Sequence, residues 1–231
     1  MSAQDTQALL AKASIFSDLA ESQLASLSRL VVTKKYRARE VVLRKGDPAL
    51  QIYLIVRGRL KAITAGGEGR QAALSIMGPG EVFGEVAVLD GEPRSATITA
   101  LEPCELLILH RNELFHFLER NPTAAIKLLA VLARRLRRLS ERVEDSAFLE
   151  VPGRLAKALL RLAQRYGRSE NRGTRIELKL SQQELGDLVG ATRESVNKQL
   201  RAWASEGLLV QDGGRIILVD VEAFELLGAA S

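Results

Sequence analysis

Between Thr123 and Ala147 the apolar residues Ala125, Leu129, Leu132, Leu136, Leu139 and Val143 follow one another at steps of four, three, four, three and four. That alternation keeps one apolar stripe on a long helix, and it is the step of a two-stranded coiled-coil seam. The same stripe would also suit a helix laid against its own domain. The strict alternation and the basic flank Arg134, Arg135, Arg137 and Arg138 favour a pair of identical chains. Leu128 and Val131 fall off the seam and are placed to touch the chain's own core. The expectation is a homodimer joined through Leu129, Leu132, Leu136, Leu139 and Val143.

The pattern on either side of this helix differs. From Val31 to Leu109 short aliphatic runs alternate with turn clusters. The runs include Val41-Val42-Leu43, Ile52-Tyr53-Leu54-Ile55-Val56 and Leu106-Leu107-Ile108-Leu109. The clusters include Gly46-Asp47-Pro48, Gly66-Gly67-Glu68-Gly69, Gly78-Pro79-Gly80 and Asp90-Gly91-Glu92-Pro93. Many short strands without helical crossovers read as a β-roll or jelly-roll barrel and not as a parallel α/β sheet. A helix capped by Ser17, with Leu19, Leu24, Leu27 and Leu30 at roughly helical spacing, is expected to cover one edge. A short helix is expected to end near Asn121-Pro122. After the long helix, Val151-Pro152-Gly153 punctuates the chain, and a hinge is expected between Asp145 and Pro152. A helix from about Arg154 to Tyr166, a polar loop Gly167–Gly173 and a short strand around Ile176–Leu178 then follow. The expected class is α+β, divided into residues 1–121, a long helix and hinge at 122–150, and residues 151–231.

The last third carries a second spacing signal. Ser181 to Leu200 reads SQQELGDLVGATRESVNKQL. Ser181 and Glu184 fit a capping box. Leu185, Leu188 and Val189 supply a buried stripe, Gly186 lets two crossed helices approach, and Gly190 suits a left-handed turn. Thr192 caps a second helix anchored by Val196 and Leu200. Taken together this is a helix-turn-helix, whose second helix would enter the DNA major groove. Arg193 and Glu194 lie in its first turn, with Asn197 and Lys198 one turn on. Arg can fork onto guanine and Glu can accept from a cytosine amino group. Ser181, Gln182, Thr192 and Ser195 suit phosphate contacts. Alone, Arg193 and Glu194 would read as solvated helix charges; the glycine and apolar spacing around them favours DNA reading. Two short strands flanking Asp212-Gly213-Gly214 predict a hairpin wing, and Trp203 is expected in the core of this winged domain.

The stretch GEVFGEVAVLDGEPRSATITA, Gly80 to Ala100, is the most informative part of the first half. Gly84 permits close backbone approach or positive φ. A one-turn helix in the insert would turn free N–H groups toward an anion. Arg94 suits a phosphate, Ser95 adds a hydroxyl, and Glu85 suits a sugar hydroxyl. A structural Glu–Arg pair bracing a barrel turn is the plainer reading of those two residues alone.

The whole string resembles the phosphate-binding cassette of cyclic-nucleotide-binding domains, and the chain, in the order barrel, long helix, winged helix-turn-helix, resembles the CRP/FNR family of bacterial transcription regulators. The resemblance implies that Gly84, Glu85, Arg94 and Ser95 hold ribose and cyclic phosphate. It implies cAMP or cGMP as an allosteric ligand, a TGTGA-like half-site in double-stranded DNA, and RNA polymerase as a partner reached through Arg168–Gly173. The iron–sulfur members use several amino-terminal cysteines, which this chain lacks. Base contact falls by spacing on Leu139 and Ser140. The cAMP-binding members carry a Thr-Ser pair there; Ser140 fits, but Leu139 cannot hydrogen-bond a purine amino group. The family usually has Arg where Lys198 stands, which relaxes one fork contact.

Composition excludes several other classes. One cysteine, Cys104, rules out an intramolecular disulfide and any cluster needing several thiolates. Two histidines, His110 and His116, make a metal centre or metal-dependent catalysis a poor fit, and no Ser-His-Asp order or phosphate loop appears. Neither a signal segment nor an apolar span is seen, so a cytoplasmic protein without a membrane partner is expected. The net charge of +5 permits nucleic acid as a partner without requiring it. A module that regulates a protein partner, or a family member with a different ligand or none, stands as the alternative.

Overall fold

Two four-residue runs with no polar interruption show how the first half is built. Along Ile52-Tyr53-Leu54-Ile55 and Leu106-Leu107-Ile108-Leu109, successive side chains point to opposite faces of a sheet. All eight are buried, so both faces are covered. Ile52, Leu54, Leu107 and Leu109 join a core formed with the surrounding helices. Tyr53, Ile55, Leu106 and Ile108 join a second core that also holds Leu43, Leu60, Ala62, Ile98 and Ala100 of the facing sheet.

The computed structural model describes residues 3–13, 15–17, 19–65 and 71–229. The turn expected at Gly66-Gly67-Glu68-Gly69 lies outside them. Two helices, α1 (Ala3–Ala11) and α2 (Glu21–Ser28), precede the strands β1 (Val32–Tyr36), β2 (Val41–Leu43), β3 (Gln51–Arg57), β4 (Leu60–Ala65), β5 (Gln71–Met77), β6 (Val82–Phe83), β7 (Thr97–Ala100) and β8 (Cys104–His110). A six-residue helix, α3 (Glu85–Asp90), interrupts β6 and β7. Among the described residues these strands form two four-stranded sheets, in the orders β1-β8-β3-β6 and β2-β7-β4-β5. The ladders of β8 with β1 and β3, of β3 with β6, and of β7 with β2 and β4 are antiparallel, as a roll requires. Helix α4 (Arg111–Arg120) leads to α5 (Pro122–Phe148), the long helix, 27 residues in length. Pro122 opens α5, where its missing N–H costs nothing. Ala124 and Leu128 are buried in the helix-side core and Val131 packs against it.

The chain divides into two compact units whose boundary falls inside α5, between Arg137 and Arg138, with a few residues around Ala73 grouped with the second unit. That second unit continues with α6 (Val151–Tyr166), β9 (Gly167–Glu170), β10 (Gly173–Ile176), α7 (Gln182–Val189), α8 (Arg193–Ser205), β11 (Leu209–Asp212), β12 (Arg215–Leu218) and α9 (Val221–Ala229). Its sheet runs β11-β12-β10-β9. Leu155, Leu159, Leu185, Val196, Leu200, Trp203 and Phe224 are buried, and Trp203 meets Phe224 edge to face at 4.9 Å. On α5 the buried Asp145 accepts from Lys157 Nζ at 2.6 Å and from Arg161 Nη1 at 3.3 Å, both on α6.

Four local expectations are corrected. Helix α2 starts at Glu21 after Ala20, not after Ser17, because the Gln23 side chain accepts from the Ala20 N–H at 2.8 Å and serves the helix start itself. Val151-Pro152-Gly153 does not end a helix but opens α6, since proline is tolerated in a first turn. The polar stretch Gly167–Gly173 is mostly strand: Gly167–Glu170 pairs with Gly173–Ile176 as a hairpin. The strand expected at Ile176–Leu178 accordingly lies earlier, at β10.

Candidate functional site

The strand β6 ends at Phe83, and Gly84 then takes φ +79° before α3 begins. The positive φ favours glycine here, and a side chain would also press on Arg94. A Cβ at Gly84 would sit 2.8 Å from Arg94 Nη1 and 3.4 Å from both the Gln51 carbonyl and Tyr53 Cδ2. Arg94 enters this gap from the segment between α3 and β7. It donates through Nη1 to the Gly84 carbonyl at 2.7 Å and through Nη2 to the Gln51 carbonyl at 2.6 Å. Its own backbone is tied down, with N donating to Asp47 O and O accepting from Gly46 N, each at 2.9 Å.

Arg94 is 4% exposed and Glu85 1% exposed. Burial pushes the Arg94 guanidinium below its ordinary range, while Tyr53, Glu85 and Asp47 act in the opposite sense. Glu85, the first residue of α3, accepts through Oε1 from Arg135 Nη1; Arg135 also donates through Nη2 to the Val82 carbonyl. The other carboxylate oxygen, Glu85 Oε2, and Arg94 Nε are both buried with no hydrogen-bond partner among the described residues. A buried acceptor and a buried donor left unmade are costly, and each calls for a partner from outside the chain, whether water, ion or ligand. Two guanidinium groups, Arg94 and Arg135, meet here beside the carboxylates of Glu85 and Asp47. A glycine-lined gap, an orphan acceptor and an orphan donor on a cation fit a ligand that joins a hydroxyl to an anionic group. Ser95, expected beside them, is exposed.

Arg135 is the residue that sequence reasoning placed elsewhere. The sequence groups it with Arg134, Arg137 and Arg138 as the basic flank of the seam, whereas its side chain reaches Glu85, fifty positions earlier. Leu139 and Ser140 lie on exposed positions of α5, past the division at Arg137 and Arg138. Along α5, Leu129, Leu136 and Val143 are 63%, 67% and 69% exposed, and Leu139 is also exposed, whereas Leu132 is half-buried. A row of large apolar side chains in water is the mark of a surface that meets another.

In the second unit, Ser181 accepts from Glu184 N at 3.2 Å, and the Glu184 carboxylate accepts from Ser181 N at 2.9 Å. Gly190 takes φ +66° and ends α7. A Cβ at Gly186 would meet the Ala191 carbonyl at 2.6 Å, so the turn can follow only where position 186 has no side chain. Thr192 accepts from Ser195 N at 3.1 Å to start α8, and the two hydroxyls lie 3.1 Å apart. Arg193, Glu194 and Lys198 are exposed on this helix. Asn197 is half-buried, and its Oδ1 accepts from Gln182 Nε2 at 3.0 Å, a bond between α7 and α8 that holds both amides. The β11–β12 hairpin forms with Gly213 and Gly214 at its turn. No helix among the described residues is long and apolar enough to cross a membrane. Nor does any group of three or more His, Cys, Asp and Glu there come together as a metal site.

Comparison with known proteins accounts for both halves. Residues 33–121 match the cyclic nucleotide-binding domain, and residues 153–227 match the Crp-like helix-turn-helix domain. A CRP-like cAMP-activated global transcriptional regulator of Mycobacterium tuberculosis is 36% identical over 214 residues, covering 93% of this chain and 96% of that protein. The cAMP-activated global transcriptional regulator CRP of Escherichia coli O157:H7 is 31% identical over 185 residues, or 80% of this chain and 88% of that one. Among solved structures, the c-di-GMP responsive global regulator CLP of Xanthomonas campestris superposes with TM-score 0.78 at 25% identity, over 87% of this chain and all of that one. A CRP/FNR-family regulator from Thermus thermophilus does so with TM-score 0.73 at 27% identity, over 86% of this chain and 99% of that one. With a nucleotide-binding roll, a long helix and a winged helix-turn-helix in family order, the chain is a CRP-like transcription regulator of the CRP/FNR family.

Proposed function

We propose that the cradle takes a cyclic purine nucleotide and that the chain acts as a homodimeric regulator whose α8 reads a TGTGA-like palindrome. The observation that carries the ligand assignment is the pair of buried, unbonded atoms Glu85 Oε2 and Arg94 Nε flanking Gly84. Arg94 meets the cyclic phosphate through charge-assisted bonds, with the Ser95 hydroxyl beside it. Glu85 Oε2 accepts from the ribose hydroxyl while Arg135 holds Oε1. Leu139 and Ser140 are the base-contact positions that the family resemblance implies. The names of the relatives favour cAMP. Leu139 offers no hydrogen bond to a purine amino group, and that keeps cGMP as a second reading.

Leu129, Leu132, Leu136, Leu139 and Val143 form the dimer seam. On DNA, Arg193 and Glu194 read bases, Lys198 adds a third contact of lower directionality, and Ser181, Gln182, Thr192 and Ser195 set the register on phosphates. Asn197 supports α8 through Gln182. Functionally the chain divides into a sensor at 1–121, a coupling helix at 122–150 and a DNA-binding part at 151–231. Nucleotide favours one arrangement of the two recognition helices by binding it more tightly. RNA polymerase is the further partner, met through Arg168–Gly173, and the cytoplasm is the compartment. The protein needs no metal and catalyses no reaction.

Two measurements test this. Calorimetric titration with cAMP and cGMP in parallel should show saturable binding of at least one, and binding of neither rejects the ligand assignment. A gel shift on a palindromic TGTGA-type duplex should be salt-sensitive and strengthened by the nucleotide that binds. Absence of a shift under both conditions rejects the DNA assignment.

A further inference from the structure

Tyr53 stands beside the cradle without being part of its expected chemistry. It faces Phe83 across the β3–β6 ladder, where the two are register partners, and the rings stack at 5.0 Å with planes 10° apart. The Arg94 guanidinium carbon lies 5.9 Å from the Tyr53 ring centroid. Gln51 and Tyr53 are two apart on β3, so their side chains share a face. The Tyr53 hydroxyl donates to Gln51 Oε1 at 3.0 Å, and Gln51 Nε2 lies 3.3 Å from His110 Nε2 on the neighbouring strand β8. With its amide nitrogen turned to His110, Gln51 presents its oxygen to Tyr53. The backbone carbonyl of the same Gln51 accepts from Arg94 Nη2. One residue therefore holds both the hydroxyl of the ring and the guanidinium beside it.

We infer that Tyr53, locked by Gln51 and Phe83, is a positioning residue that holds Arg94 for the phosphate of the cyclic nucleotide. The inference rests on the ligand assignment made above. Three surfaces confine the guanidinium: the Gly84 carbonyl, the Gln51 carbonyl and the ring. The two carbonyls fix the edge that carries Nη1 and Nη2, and the attraction of the ring for the cation biases the group against swinging away from it. An aromatic face attracts a cation within about 6 Å, and more strongly where water is excluded. Tyr53 touches no ligand atom in this scheme; its effect passes through Arg94.

The test is a double-mutant cycle read by calorimetry with cAMP on the full-length protein. Tyr53→Leu should weaken cAMP binding about tenfold in the Arg94 protein. It should change binding less than about twofold in the Arg94→Lys background, since the shorter, unforked cation has no plane for the ring to hold. Tyr53→Phe keeps the ring and should restore most of the affinity, leaving a loss of about threefold. Gln51→Ala should cost at least as much as Tyr53→Phe, since it also removes the contact with His110, and the pair together should cost no more than Gln51→Ala alone, because both remove the same Tyr53–Gln51 hydrogen bond. If Tyr53→Leu fails to fold, the Tyr53→Phe and Gln51→Ala pair still decides. The inference is overturned if Tyr53→Leu costs the same factor in both backgrounds, or if the Tyr53→Phe and Gln51→Ala losses simply multiply. Should Arg94→Lys itself leave cAMP affinity at the wild-type level, it is the ligand assignment that fails.

Discussion

Arg135 on α5 donates to the carboxylate of Glu85, the residue that begins α3 on the wall of the cradle. A buried carboxylate is thus held by a cation from the same helix that carries the apolar seam. The side chain of Arg135 is a quarter exposed while that of Glu85 is almost fully buried, so the two ends of the bond sit in different surroundings. Cutting it from the Arg135 side leaves a buried carboxylate without its hydrogen-bonded cation, with only the charge of Arg94 nearby.

Arg135→Ala should therefore destabilise the first unit by about 2–3 kcal/mol, below the range for a fully buried pair because Arg135 is partly in water. Chemical denaturation followed by circular dichroism measures this. Arg135→Lys should recover part of the loss, since a single ammonium can replace one of the two bonds but not both. Equal midpoints for all three proteins would show that the pair contributes nothing.

Arg94→Ala should lower cyclic-nucleotide affinity by about 100-fold, the order expected for a lost charge-assisted contact to phosphate in a water-poor site. The Gly84 and Gln51 carbonyls lose their donor in the same variant, so a stability loss of about 1–3 kcal/mol is expected alongside. Calorimetry on protein verified as folded separates the two effects.

Gly186→Ala should damage DNA binding without touching a DNA-facing side chain. The added methyl group meets a backbone carbonyl, which cannot move aside as a flexible side chain would. Glu194→Ala makes the contrast. It should leave the melting temperature unchanged and relax base preference at one position of the half-site by about 1–3 kcal/mol. Binding to a set of single-base variants of the palindrome reads out both.

The protein should lose stability in alkali. Burial raises the Cys104 thiol above its ordinary 9.0, and burial raises Tyr36 and Tyr53 above 10.0. Each group holds its proton more tightly in the fold than in the unfolded chain. The contribution is thus complete below those ordinary values and is lost as pH climbs through them toward the folded values. Denaturation midpoints should be flat from pH 7 to about pH 9 and then fall, with a shallower fall in Tyr53→Phe. A thiol reagent at neutral pH should label native Cys104 slowly and unfolded Cys104 at once.

What could be read from residue order alone follows a physical line. The long helix α5 with its apolar stripe, the Ser181–Glu184 capping box and the Gly190 turn are local: a repeat or cap declares itself within a few residues. The cradle glycine and Arg94 could be named because they lie ten positions apart in one turn-rich insert. Arg135 could not, since its partner is fifty positions away and an arginine on a basic helix face gives no sign of which one turns inward. Tyr53 was hidden for another reason: in a run buried on both faces, neighbours on opposite sides look alike. The polar residues of Gly167–Glu170 read as loop, yet an edge strand in water needs no apolar side. The start of α2 escapes a search for Ser or Thr caps because a glutamine at the third position replaces the missing cap of Ala20.

Arg94 commits two of its N–H groups to carbonyls of its own fold. A long side chain frozen during folding forfeits no rotameric freedom when a guest arrives, and it does not bend to follow a guest of the wrong shape. Selectivity among small phosphates then resides in a rigid mould rather than in a grasping arm.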